Sequence, residues 1–73
     1  MKLGEMKAGQ EGVITAVGGK GALRRRLLDM GITRGTEITL LKTAPLGDPL
    51  EVSLRGFTLS LRRAEAAMVE TEN

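Results

Sequence analysis

Leu50-Glu51-Val52-Ser53-Leu54-Arg55-Gly56-Phe57-Thr58-Leu59-Ser60-Leu61-Arg62 is the stretch whose reading decides the fold. Leu50, Val52 and Leu54 alternate with Glu51, Ser53 and Arg55; Phe57, Leu59 and Leu61 alternate with Thr58, Ser60 and Arg62. Successive side chains of a strand point to opposite faces, so each half reads as a half-buried strand. A two-residue turn at Arg55-Gly56 sets Leu54 opposite Phe57, Val52 opposite Leu59 and Leu50 opposite Leu61. All six apolar side chains, Phe57 included, then face one core.

Upstream lies Thr43-Ala44-Pro45-Leu46-Gly47-Asp48-Pro49, where two prolines and a glycine define a loop. Before it, residues 36–42 read as a strand, with Ile38 and Leu40 alternating against Glu37 and Thr39. Thr33-Arg34-Gly35 makes a turn. A helix is expected over residues 22–30, closed by Gly31 in the left-handed conformation that glycine tolerates. Gly18, Gly19 and Gly21 break a first strand over 12–17, which carries Val13, Ile14 and Val17. Downstream, Arg63-Ala64-Glu65-Ala66-Ala67 favours a helical turn. Met68-Val69 forms a last short strand that pairs with the first. The fold class expected is mainly β: a small barrel of about five short strands, which hides sheet edges, with one inserted α-helix. Residues 1–73 read as a single domain.

Composition removes many chemistries. A domain of 73 residues is near the lower size limit for folding without staples, burying only about 60% of its unfolded surface. Without cysteine there is no disulfide. Without His or Cys, a zinc finger, a thiol redox site and a Ser-His-Asp triad are excluded. Carboxylates and carbonyls are the remaining metal ligands, so no high-affinity transition-metal site and no cofactor are expected; a weak carboxylate site stays open. Glu65, Glu70 and Glu72 read as solvated charges rather than an acid–base pair, so no catalytic residue is assigned and an enzyme is not expected. The net charge of +2 and pI of about 9.5 fall short of a strong nucleic-acid binder. Phe57 is the one aromatic, too few for base stacking. A small basic barrel binding nucleic acid is the alternative reading, not the leading one. No apolar run approaches the ~18 residues of a membrane span and no signal-peptide core follows Lys2-Leu3, so the expected location is the cytoplasm.

The glycine-rich entry to the helix, Gly18-Gly19-Lys20-Gly21, invites a phosphate-binding reading. It fails both patterns: a phosphate loop needs Gly at position 14 and Ser or Thr at 21, where the chain has Ile14 and Gly21, and a G-x-G-x-x-G motif from Gly19 meets Arg24 in place of its last glycine.

The helix and the loop offer docking features instead. Leu23, Leu27 and Met30 share a core-facing stripe. Arg25 and Asp29, four residues apart on the opposite side, can pair. Leu28 falls off the stripe, near Arg24. Either another segment covers it, or it is an apolar spot framed by arginines, the mixture found at protein interfaces. Leu46 either folds back to close one end of the barrel or stands at the loop tip on a proline-stiffened contact surface. Asp48 either caps the turn before Pro49 or joins that surface. The candidate partner-binding residues are Arg24, Arg25, Leu28, Asp29, Leu46 and Asp48.

Taken in order, Gly21-Ala-Leu-Arg-Arg-Arg-Leu-Leu-Asp-Met-Gly31, Thr33-Arg-Gly-Thr-Glu37, Ala44-Pro-Leu-Gly-Asp-Pro49 and Arg55-Gly-Phe-Thr-Leu-Ser-Leu-Arg62 resemble the FeoA family over nearly the whole chain. Lys7-Ala8-Gly9 is similar to that family's Lys-Pro-Gly turn, with Ala8 in place of proline. The resemblance implies an SH3-like β-barrel with an inserted helix. It implies a cytoplasmic accessory or regulatory protein of bacterial ferrous-iron uptake, with an FeoB-type transporter as its partner. That transporter would be met through its cytoplasmic GTP-binding domain or its membrane part, and the membrane only through it. Similar domains occur in metal-dependent repressors; a chain starting at Met1 and holding this domain alone is expected to be the free-standing form. An SH3-like fold also raises proline-rich-peptide reading, but that mode needs an aromatic-lined groove.

Overall fold

The computed structural model describes residues 1–73. The hairpin is the strongest agreement. β3 (Leu50–Leu54) and β4 (Phe57–Leu61) pair antiparallel with Leu54 opposite Phe57, Val52 opposite Leu59 and Leu50 opposite Leu61. Arg55 and Gly56 both have positive φ, 50° and 85°, the combination of a type I′ hairpin turn whose twist matches the strands it joins.

The other strands are β1 (Glu11–Val17), β2 (Glu37–Thr43) and β5 (Val69–Glu72). Together they make one sheet in the order β4-β3-β2-β1-β5, with every neighbouring pair antiparallel. Pairing of β5 with β1 is as the sequence predicts, though β5 extends to Glu72. Two irregularities bend the sheet. Thr15 is an extra residue of β1 against β5, and Leu41 an extra residue of β2 against β3. Such bulges sharpen the local twist, which lets five short strands wrap a core. The strands at the two ends of the order, β4 and β5, do not pair with each other.

Two helices complete the chain: α1 (Gly21–Asp29) and the single turn α2 (Arg63–Ala66). Neither is long and apolar enough to cross a membrane. The core takes Ile14 from β1, Leu27 from α1, Ile38 and Leu40 from β2, Leu50, Val52 and Leu54 from β3, Leu61 from β4, Ala66 from α2 and Val69 from β5. Leu3, from a 3₁₀ turn at Leu3–Glu5, and Met6, which follows that turn, also lie in this core, and no periodic pattern marks them.

Phe57 corrects the expectation of six core residues on the hairpin. It is 45% exposed and Leu59 is half-buried. The register is as expected, but Phe57 lies at the turn end of the outermost strand, β4, whereas Leu54 opposite it on the inner strand β3 is buried. A Cβ added to Gly31 would lie 3.9 Å from its Cζ, so the ring lies at the end of α1.

Candidate partner-docking surface

The end of α1 explains how its outer face is aimed. Gly31, at φ 92°, turns the chain; its N–H donates to Leu28 O (3.0 Å) and the Ile32 N–H donates to Leu27 O (3.1 Å). This double bond pattern is a Schellman motif, accompanied by burial of an apolar pair, here Leu27 and Ile32, both fully buried. Leu27 is thereby the one fully buried residue of the helix, with Met30 packed against the core beside it. Leu23 and Met30, the other members of the expected stripe, are half-buried.

Pinning Leu27 inward turns Arg24, Arg25 and Asp29 to solvent and leaves Leu28 half-buried. These four line one shallow depression of ≈ 300 Å³ with Gly21. Arg25 and Asp29 also border a second depression of ≈ 540 Å³ with Gly21, Ala22, Arg26 and Met30, so they form the ridge between the two. The expected Arg25–Asp29 pair does not form. Arg26 instead reaches Glu65 of α2 at 3.6 Å, and Arg25 makes no ion pair within the chain. Arg24 leans back, its Nε donating to Val17 O at 3.2 Å. Leu28 falls between its two readings: it is half-buried and lines the depression.

The β2–β3 loop is the second feature. Its tip is a turn closed by the Gly47 N–H donating to Ala44 O (2.7 Å), and its base by the Ala44 N–H donating to Pro49 O (3.0 Å). Leu46 stands on the tip, 97% exposed, and does not fold back over the barrel. Asp48 is exposed and its Oδ1 accepts the Arg63 N–H at 3.1 Å, so it ties the loop to the first residue of α2 rather than capping its own turn.

The structure gathers the helix residues and sets the loop residues apart. Loop residues 44–49 precede Leu50 at one end of β3, while Gly31 lies 3.8 Å (from its added Cβ) from Leu54 Cδ1 at the other. α2 links the two regions, holding Arg26 through Glu65 and the loop through Arg63. Sequence reasoning missed the exposed apolar residues Val13, Leu41 and Phe57, at 39%, 40% and 45% exposure. For Leu41, the doublet Leu40-Leu41 breaking the alternation of β2 was an available signal of a bulge.

Comparison with known proteins places the chain. The FeoA domain profile matches residues 1–73. A fusion protein of Porphyromonas gingivalis, described as Fe(2+) transport protein A/Fe(2+) transporter FeoB, is 42% identical over 72 residues. That match covers 99% of this chain and only 8% of the fusion protein's length. Among solved structures, the FeoA protein of Chlorobium tepidum is 46% identical with a TM-score of 0.90, over 99% of this chain and 69% of that one. The FeoA of Stenotrophomonas maltophilia complexed with zinc, described as a procaryotic SH3 domain protein, is 29% identical with a TM-score of 0.85, over 99% and 89% of the two chains. The match across all 73 residues, on a five-stranded antiparallel sheet with an inserted helix, shows that this chain belongs to the FeoA domain family.

Proposed function

We propose that the chain is a non-catalytic accessory module of ferrous-iron transport that docks on an FeoB-type transporter at the cytoplasmic side of the membrane. The observation that carries this reading is the Porphyromonas gingivalis relative, in which a region 42% identical to this chain shares one polypeptide with FeoB. Two domains joined in one chain meet at high effective concentration, an arrangement that suits modules that work together. In the present chain, contact would come from the α1 face (Arg24, Arg25, Leu28 and Asp29) and from the loop (Leu46, with Asp48 beside it). The arginines orient the partner electrostatically, and Leu28 and Leu46 supply apolar anchors.

Transport itself belongs to the partner in this reading. The chain has neither His nor Cys, and no three of its carboxylates converge on a point. The contribution proposed for it is contact with that partner.

A pull-down of the transporter's cytoplasmic parts tests the proposal. Leu46→Asp is the cleanest variant, because a residue 97% exposed can change with little effect on stability, within about 0.5 kcal/mol. Arg25→Glu reverses a charge with no internal partner. Each is expected to weaken capture by about tenfold or more, the cost of losing an interface anchor. If both variants capture the transporter as well as the unaltered chain does, this surface is not the docking site.

A further inference from the structure

The two outer edges of the sheet are not alike. Along β5 the N-terminal segment adds a partial strand. The Thr71 N–H donates to Met1 O at 2.7 Å, the terminal ammonium donates to Thr71 O at 2.8 Å, and Lys2 bridges to Glu70. Along β4 nothing pairs: it ends the strand order. In a hairpin with a two-residue turn, hydrogen-bonded pairs alternate with open ones, starting beside the turn. Phe57, Leu59 and Leu61 thus use their N–H and C=O groups on β3, and those of Thr58 and Ser60 face away from it. No loop or cap hydrogen bond reaches either residue.

This edge lacks the usual guards. β4 contains no proline and no lysine, and its register with β3 runs through five pairs without a bulge. Beside it, Phe57 at 45% exposure and half-buried Leu59 form an apolar shelf. We propose that the free edge of β4 is a second interaction surface, which takes an extended peptide segment of a partner protein as a sixth strand. The segment would carry apolar residues at alternate positions, to cover Phe57 and Leu59, and acidic residues at its ends.

Charge selects this occupant over a second copy of the chain. The backbone alone would allow self-pairing: an antiparallel register centred on Leu59 sets Thr58 against Ser60 of the other copy, and the reverse. The same register brings the turn residue Arg55 of each copy toward Arg62 and Arg63 at the far end of the other copy's β4, and close approach of like charges there opposes the pairing. Two carboxylates stand at the Arg62–Arg63 end, Asp48 accepting the Arg63 N–H and Glu65 the Arg62 N–H, but Glu65 is already paired with Arg26, so Arg55, Arg62 and Arg63 stay in excess over Asp48. An acidic-ended peptide meets the same arginines with the opposite sign. The residues of this surface are other than those proposed on the α1 face and the loop tip, and the inference does not rest on the transporter reading.

The probe is the acetylated and amidated peptide Glu-Glu-Val-Thr-Val-Thr-Val-Glu-Glu, titrated at low salt into the full ¹⁵N-labelled chain. Amide shifts are expected to concentrate on residues 57–61, and amide exchange at Thr58 and Ser60 to slow by about tenfold or more at saturation. Ser60→Pro removes one outward N–H without touching the bonds to β3, a substitution that an edge strand accepts, and should weaken binding at least about tenfold. Arg62→Glu tests the charge independently of that backbone change and should weaken binding by about tenfold. A control peptide with Lys for every Glu should bind at least about tenfold more weakly. Absent protection at Thr58 and Ser60, equal binding by the Lys peptide, or unaltered affinity in Arg62→Glu would each overturn the proposal. So would dimerisation of the chain through β4 in sedimentation. No transporter is present, so the result is read separately from the pull-down.

Discussion

Arg63 Nε donates to the Gly47 carbonyl at 2.6 Å, and this bond sets how the β2–β3 loop presents Leu46. The same guanidinium reaches Gly4 O at 3.4 Å, and the Arg63 N–H reaches Asp48 Oδ1 at 3.1 Å. One residue of α2 thus joins the loop, the N-terminal turn and the helix. Arg63→Ala removes both side-chain bonds and keeps the backbone bond to Asp48. The expected loss is about 1–2 kcal/mol, roughly 0.5–1 kcal/mol for each of the two bonds. A urea midpoint checks it, and the Gly47 amide should exchange faster.

Gly56 offers a backbone test free of packing. Its φ is 85°, and a Cβ added there would meet nothing within 4 Å. Gly56→Ala therefore costs only the left-handed conformation, about 1–2 kcal/mol, measured as a fall in thermal or urea stability. Arg55 sits beside it at φ 50° and is held there by its own side chain, with Nη2 donating to Thr36 Oγ1 at 3.0 Å and Thr33 Oγ1 at 3.3 Å. A loss well below 1 kcal/mol in Gly56→Ala would show that the turn does not have this geometry.

Acid should weaken the junction of the N-terminus with β5. The Lys2 ammonium, 2.7 Å from the Glu70 carboxylate, lowers its pKa below the ordinary 4.5, first through the hydrogen bond and then through charge, with the terminal ammonium adding to it. The unfolded chain then binds the proton more tightly than the folded one. This contribution is fully present above about pH 4.5 and is lost as pH falls through the lower folded value. In Lys2→Ala, the pH dependence of stability in that acid window should flatten, as read by denaturation between pH 6 and pH 3.

Leu27 is the main apolar anchor of α1, being fully buried where Leu23 and Met30 are half-buried. Leu27→Ala should cost about 2–5 kcal/mol, a large share of the stability of so small a domain. Phe57→Ala should cost less than the ~3–5 kcal/mol of a core phenylalanine, because nearly half the ring is in solvent. Denaturant midpoints of the two variants give the order directly.

Particular elements show how far the sequence carried. The β3–β4 register was legible in full, because a two-residue turn and strict alternation each specify the same pairing. The end of α1 was legible from Gly31, whose positive φ is the left-handed cap expected. The burial of Leu3 and Met6 was not, since a three-residue 3₁₀ turn is too short to show a period. The ionic contact of α1 was not either: local spacing offered Arg25 and Asp29, but packing of α2 brought Glu65 to Arg26. Of the candidate docking residues, the four on α1 could be grouped by helical periodicity. The position of the loop relative to them depends on which end of β3 each lies against, and no local pattern records that.

The sequence by itself determined the strands, their pairing through the hairpin, the stop of the helix and the exclusion of imidazole and thiol chemistry. These follow from alternation, turn length, glycine and composition, all of which act within a few residues. Only the tertiary structure decided that Leu46 stands free, that Leu28 is half covered, that Phe57 leaves the core and that one sheet edge is plugged while the other is open. Those outcomes depend on where a finite core ends, and a core this small ends before its apolar residues do.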